Sequence, residues 1–158
     1  MQDLTVAAYT EYAAMLPEYA WEMYREDMVT TIEQEIANSI VAEQDGEIVG
    51  SVVLIPAGTS VQDPAGEPVT LEWPEIRLLA VPPDQRGKGI GRRLTEECVR
   101  RASESGKEAI TLHTGDIMST AMQMYERMGF VRFPSIDFFP EPDFVIKGYI
   151  YRLKKTQA

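Results

Sequence analysis

Cysteine and histidine are almost absent from this chain of 158 residues, which has one of each. With Cys98 alone, neither an internal disulfide nor a cysteine metal cluster can form, and a solitary thiol fits a reducing cytoplasm, the expected location. Cys98 falls on the apolar stripe of a helix, where a cysteine behaves as a small hydrophobe rather than a nucleophile. His113 lies on the strand face opposite Ile110 and Leu112 and reads as structural or substrate-lining; one histidine without Asp and Ser partners makes no hydrolase triad. No His, Asp or Glu grouping has metal-ligand spacing, so no metal is expected.

Long apolar runs are missing too. No stretch of about 18 residues is apolar throughout, and the N-terminus MQDLTVAAYTEY has no basic region ahead of an apolar core, so neither a membrane span nor a signal peptide is expected. Positive charge is scarce: 15 basic residues stand against 25 acidic ones, a net charge of −10, which argues against nucleic acid as a partner. The basic residues are also unevenly spread, since Arg86, Lys88, Arg92, Arg93, Arg100 and Arg101 are clustered while the first 50 residues and Asp137–Asp143 are acidic. An acidic remainder would attract a cationic acceptor such as a protonated amine, although it also serves plain solubility.

What is present suits a single globular domain over residues 1–158, with 44% hydrophobic and 25% charged residues and no repeat or low-complexity tract. From Val6 to about Ala37 apolar residues recur at spacings of three and four, which predicts two helices with breaks near Pro17 and Asp27-Met28. Ser39–Gln44 and Glu47–Ile55 flank Asp45-Gly46, a strong hairpin signal. Pro56–Pro68 reads as a surface loop and Thr70–Val81 as one long central strand. A helix ending at Gly106 follows, with Ile90, Leu94, Cys98 and Ala102 on one face. Then come a strand over Glu108–Thr114, a helix over Ile117–Met128 capped by Gly129, and closing strands at Phe130–Phe133 and Phe144–Leu153. This order argues for an α/β (α+β) fold, a mixed sheet covered by helices on both faces.

The stretch EIRLLAVPPDQRGKGIG, Glu75 to Gly91, runs an apolar strand into a glycine-rich basic turn that opens a helix. Gly87, Gly89 and Gly91 carry no Cβ, so phosphates can approach the backbone closely. The helix start supplies unpartnered amides and about half a positive charge, which suits a diphosphate. A P-loop would need Ser or Thr after the lysine, whereas Lys88 is followed by Gly89; a Rossmann fingerprint would need G-x-G-x-x-G and an acidic residue where this chain reads SGKEAI. The turn Arg86-Gly87-Lys88-Gly89-Ile90-Gly91 instead resembles the Q/R-x-x-G-x-G/A motif of the GNAT superfamily of acyl-CoA N-acyltransferases.

A second segment, Met118–Phe130 (MSTAMQMYERMGF), resembles that superfamily's pattern N-x-x-A-x-x-x-Y-x-x-x-G-F, which Ala121, Tyr125, Gly129 and Phe130 match. Met118 stands where Asn is common, which removes one polar contact. The resemblance covers Glu47–Phe133 and implies a GNAT-like, mostly antiparallel central sheet. Superfamily members begin with a strand before the first helix; only Met1–Leu4 precede the helical pattern, so a missing first edge strand, which a second copy in a homodimer would cover, is one expectation.

The resemblance also implies the site. Leu79, Ala80 and Val81 on the strand and Arg86, Gly87, Lys88, Gly89, Ile90, Gly91 and Arg92 in the turn are expected to bind acetyl-CoA as co-substrate, with a bulge in Leu78–Val81 supplying an oxyanion donor. An amine must lose a proton before it attacks a thioester, and Glu75 matches the family's acidic base, with Glu72 second. Glu75 paired with Arg77 on an exposed strand is the plainer alternative. Tyr125 matches the general acid that protonates the departing thiolate, though an aromatic on an apolar helix face is ordinarily core. The chain is thus expected to be an N-acetyltransferase acting on a primary amine in a ternary complex, the alternative being a CoA-binding sensor without turnover.

Overall fold

The computed structural model describes residues 1–63 and 66–154; Pro64 and Ala65, within the loop expected over Pro56–Pro68, lie outside them. The chain divides into two compact units, each made of two segments: Met1–Leu54 with Arg77–Glu97, and Ile55–Ile76 with the chain from Cys98 onward.

The first unit opens with α1 (Gln2–Tyr9), a 3-10 extension (Thr10–Met15) and α2 (Glu18–Gln34). No strand precedes α1 among the described residues. The break at Pro17 is present, because proline suits the position just before a first turn; the one expected at Asp27-Met28 is not. Met28 and Ile32, one turn apart, are both buried and hold α2 together there, whereas Met15, Tyr19 and Met23 are exposed. Strands β1 (Ser39–Gln44) and β2 (Glu47–Ile55) pair antiparallel through a turn in which Asp45 and Gly46 take φ 52 and 82, the positive pair a two-residue hairpin needs. The strand order here is β1-β2-β5, where β5 is Glu75–Ala80, and α3 (Ile90–Glu104) follows. Val52, Val53, Ala80 and Leu94 are core residues.

In the second unit the expected loop and long strand are both revised. Ser60–Gln62 (β3) and Pro68–Thr70 (β4) form a hairpin with Val61 opposite Val69, since branched side chains favour pairing over open loop. The single strand expected over Thr70–Val81 is therefore two, separated at Leu71–Pro74: Leu71 bonds back to Gly58 and Thr59, and Pro74 has no N–H for a ladder. The first residues of β5 run parallel to β6 (Ala109–Thr114), with Glu75 opposite Thr111. Strand β6 is antiparallel to β9 (Phe144–Arg152), which also pairs with β7 (Val131–Arg132) and β8 (Phe138–Glu141). The acidic Asp137–Asp143 stretch is thus partly strand.

Helix α4 (Ser119–Met128) ends on Gly129 at φ 106, where Phe130 N–H bonds to Tyr125 carbonyl at 3.0 Å, a left-handed cap that only glycine adopts cheaply. The fold is a mixed α/β arrangement with a mostly antiparallel sheet. Among the described residues no helix is long and apolar enough to cross a membrane.

Candidate functional site

The turn after β5 is the one expected to bind an anion. Gly87 and Gly89 sit at φ 79 and 78, and a Cβ added to either would meet nothing within 4 Å, so the space beside both is open. Arg93 N–H makes its helical bond to Gly89 carbonyl at 3.0 Å, leaving the amides of the helix start ahead of it to face outward with the dipole's positive end. Gly50 on β2 lets this helix lie close: a Cβ there would fall 2.8 Å from Ile90 Cγ2 and 3.0 Å from Leu94 Cδ1. The residues expected to hold the diphosphate therefore share one turn, with a single exception in orientation.

That exception is Arg86. Its guanidinium is turned to the first helical segment, bonding Glu11 at 2.7–2.9 Å, Ala8 carbonyl at 3.3 Å and Val81 carbonyl at 3.0 Å. Hydrogen bonding to Glu11 raises the Arg86 pKa and lowers that of Glu11, but both side chains are 39% exposed, so solvent screens the pair. Arg86 braces the turn with its side chain. Lys88 bonds Gln85 at 2.9 Å and Arg92 bonds Glu96 at 2.9 Å, both exposed contacts that an anion can displace.

Within β5, Leu78 adopts φ 53, left-handed backbone that costs a non-glycine residue about 1–2 kcal/mol. The distortion lies in the Leu78–Val81 stretch that holds Leu79, Ala80 and Val81. Tyr9 hydroxyl donates to Leu79 carbonyl at 2.8 Å and so ties α1 to the strand beside the distortion.

The second unit holds the residues expected to act as base and acid, Glu75 and Tyr125. Glu75, at the start of β5, is 1% exposed, and its Oε1 lies 2.6 Å from His113 Nδ1 on β6. His113 Nε2 lies 2.8 Å from Ile136 carbonyl. A carbonyl oxygen only accepts, so Nε2 carries a proton, and one further proton lies on the axis between Nδ1 and the carboxylate. Glu75 is thus a buried carboxylate partnered by an imidazole, unlike the exposed strand carboxylate of the plainer alternative. Glu72 is exposed, at the break between β4 and β5.

The segment carrying Ile136 is itself tied down. Arg132 makes two bonds of 2.7 Å to the Asp137 carboxylate, Gly148 N–H donates to Asp137 at 2.7 Å, and Phe133 N–H donates to Gly148 carbonyl at 2.8 Å. Arg132 holds the Asp137 carboxyl below its ordinary value, helped by the Gly148 amide and opposed by burial. Gly148 has no room for a side chain, since a Cβ there would strike Ile136 and lie 2.8 Å from Phe133 carbonyl.

Tyr125 is 5% exposed, with its ring 5.6 Å from that of Phe130. Thr114 Oγ1, the residue after His113, is buried without a protein hydrogen-bond partner among the described residues. Among those residues no group of three or more His, Cys, Asp or Glu is placed to hold a metal ion. Tyr9, Asp137 and the Glu75–His113 contact were not visible in the sequence. The contact depends on register between strands 38 residues apart, and the only hint of it was that both residues are ionisable and on strands.

Residues 2–130 match the model of the acetyltransferase (GNAT) family, a span that includes Glu75, the glycine turn, His113 and Tyr125. The mycothiol acetyltransferase of Cellulomonas flavigena is 36% identical over 98 residues, 61% of this chain, and the chain spans 27% of that relative's length. The PaiA N-acetyltransferase of Thermoplasma acidophilum, solved in complex with coenzyme A, superposes with a TM-score of 0.66 at 17% identity, covering 95% of this chain and 90% of its own. The Salmonella typhimurium protein YncA, solved with its cofactor acetyl-CoA, gives 0.56 at 16% identity over 85% and 76% of the two chains. With a family match from the first helix through Phe130 and a fold shared with such enzymes, this chain belongs to the GNAT acetyltransferase family.

Proposed function

We propose that residues 1–158 form one domain that moves an acetyl group from acetyl-CoA to a primary amine by direct attack, with both substrates bound together. The observation that carries this reading is the open glycine turn at the start of α3 in the first unit; in the second unit, Glu75 is a buried carboxylate partnered by His113. A diphosphate fits that glycine turn: two glycines at positive φ leave the approach clear, and the helix dipole favours negative charge. The relatives solved with coenzyme A or acetyl-CoA support the choice of co-substrate.

Each residue then has a task. Amides from Gly87 to Arg92 hold phosphate oxygens, Lys88 and Arg92 add charge, and the backbone of Leu79 to Val81 pairs with the amide-bearing arm of the co-substrate. The distortion at Leu78 frees a main-chain donor for the oxygen that becomes charged on attack. Glu75 takes the proton from the ammonium form of the acceptor, directly or through one water. Tyr125 returns a proton to the departing thiolate. The acceptor is cationic before it reacts, and a chain of net charge −10 draws it in at low ionic strength.

Glu75→Gln and Tyr125→Phe test the assignment. Each is expected to lower turnover of acetyl-CoA with an amine by about a hundredfold or more while leaving CoA affinity within about threefold. If CoA binds and neither substitution changes any rate, the protein is a CoA-binding sensor instead.

A further inference from the structure

We infer that His113 is a positioning residue that holds Glu75 as the base, and that the Arg132–Phe138 segment fixes His113 in turn. This rests on the base role proposed for Glu75. A carboxylate with 1% of its surface exposed must be compensated within the protein, and His113 Nδ1 at 2.6 Å supplies a hydrogen bond of the charge-assisted kind. His113 does so because its ring cannot turn. Ile136 carbonyl accepts from Nε2 at 2.8 Å, and the Phe138 ring lies 5.0 Å away, tilted by 53°.

The carbonyl that orients the imidazole is placed by contacts at both ends of its segment. Arg132 and Asp137 close the segment on itself through two bonds, Gly148 anchors it to β9 from both its N–H and its carbonyl, and Gly148 is the one residue type that fits beneath Ile136. With both imidazole nitrogens engaged, His113 has no nitrogen left for substrate. Its influence on the reaction passes through the Glu75 carboxylate, whose rotamer it fixes.

The chain has a single histidine, so in protein carrying 15N-labelled histidine every ring signal belongs to His113. The Nε2 signal is expected to be that of a protonated nitrogen, and the Nδ1 signal to move when Glu75→Gln is introduced. An unprotonated Nε2, or an Nδ1 signal indifferent to Glu75→Gln, overturns the arrangement without any need for turnover. In kinetics, His113→Phe is expected to lower kcat by about ten- to a hundredfold with the KM for acetyl-CoA within about twofold. His113→Asn, whose side-chain amide can stand in for Nδ1–H, is expected to recover most of that loss. Equal rates for His113→Phe and wild type, or an Asn variant no better than Phe, overturn the positioning role. Full activity in Glu75→Gln would instead remove the base assignment itself, a separate result.

Discussion

The hydroxyl of Tyr9, in the first helix, donates to the main-chain carbonyl of Leu79 at 2.8 Å, one residue beyond the left-handed Leu78. Tyr9 is 8% exposed and its ring packs edge-on against Tyr12 and Tyr24, so Tyr9→Phe keeps the ring packing and removes the hydroxyl that makes this bond. The substitution is expected to cost about 1 kcal/mol, or roughly 2–4 °C in Tm. If the strand backbone binds acetyl-CoA as proposed, the KM for acetyl-CoA also rises, measured by steady-state kinetics at a saturating amine.

Gly50 sets how close α3 sits to β2. Gly50→Ala places a methyl 2.8 Å from the branched Ile90 side chain and 3.0 Å from Leu94, so the packed face of α3 must shift to admit it. A loss of about 1–3 kcal/mol in urea unfolding is expected, with weaker acetyl-CoA binding because Ile90 opens the helix. Unchanged affinity alongside lost stability would detach the helix start from the ligand.

Gly89→Glu introduces both a side chain at φ 78 and a negative charge in the cradle. A ligand at 100 times its Kd adds roughly 2.7 kcal/mol to wild-type stability, and the variant is expected to show none of it in a thermal-shift titration with acetyl-CoA. Gly89→Ala carries the backbone strain without the charge and should retain part of the effect.

Asp137 gives a pH dependence of known sign. Its carboxyl is held below its ordinary 3.8 by Arg132, so the unfolded chain binds protons more readily than the folded one in that range. The stabilisation is complete above 3.8 and is lost as pH falls through the lower folded value. The stability difference between wild type and Asp137→Asn, from denaturant melts, should therefore hold steady above about pH 4 and shrink as pH falls below it. A constant difference would mean that the Arg132 pair contributes nothing.

Local signals in the sequence were strong where backbone chemistry is local. Asp45-Gly46 announced its hairpin, Gly106 and Gly129 their helix ends, and Gly87 and Gly89 the turn before α3, because positive φ is written in residue type. The β3–β4 hairpin was hidden by turn-forming residues on both sides of its short strands, and it cut the expected long strand at Pro74. In the site, motif residues were readable and their partners were not. Arg86 was readable as a motif residue, whereas its partner Glu11, 75 residues away, was not. His113 read as structural or substrate-lining because nothing in a single sequence brings its ring within hydrogen-bond reach of Glu75.

The most direct test is to incubate the protein with acetyl-CoA and a panel of primary amines, following free CoA thiol and acetylated amine together. Transferase activity requires thiol release that depends on an amine, in step with acetylated product, and lost in Glu75→Gln. Acetyl-CoA binding seen by thermal shift, with no amine in a broad panel accelerating thiol release, would contradict it.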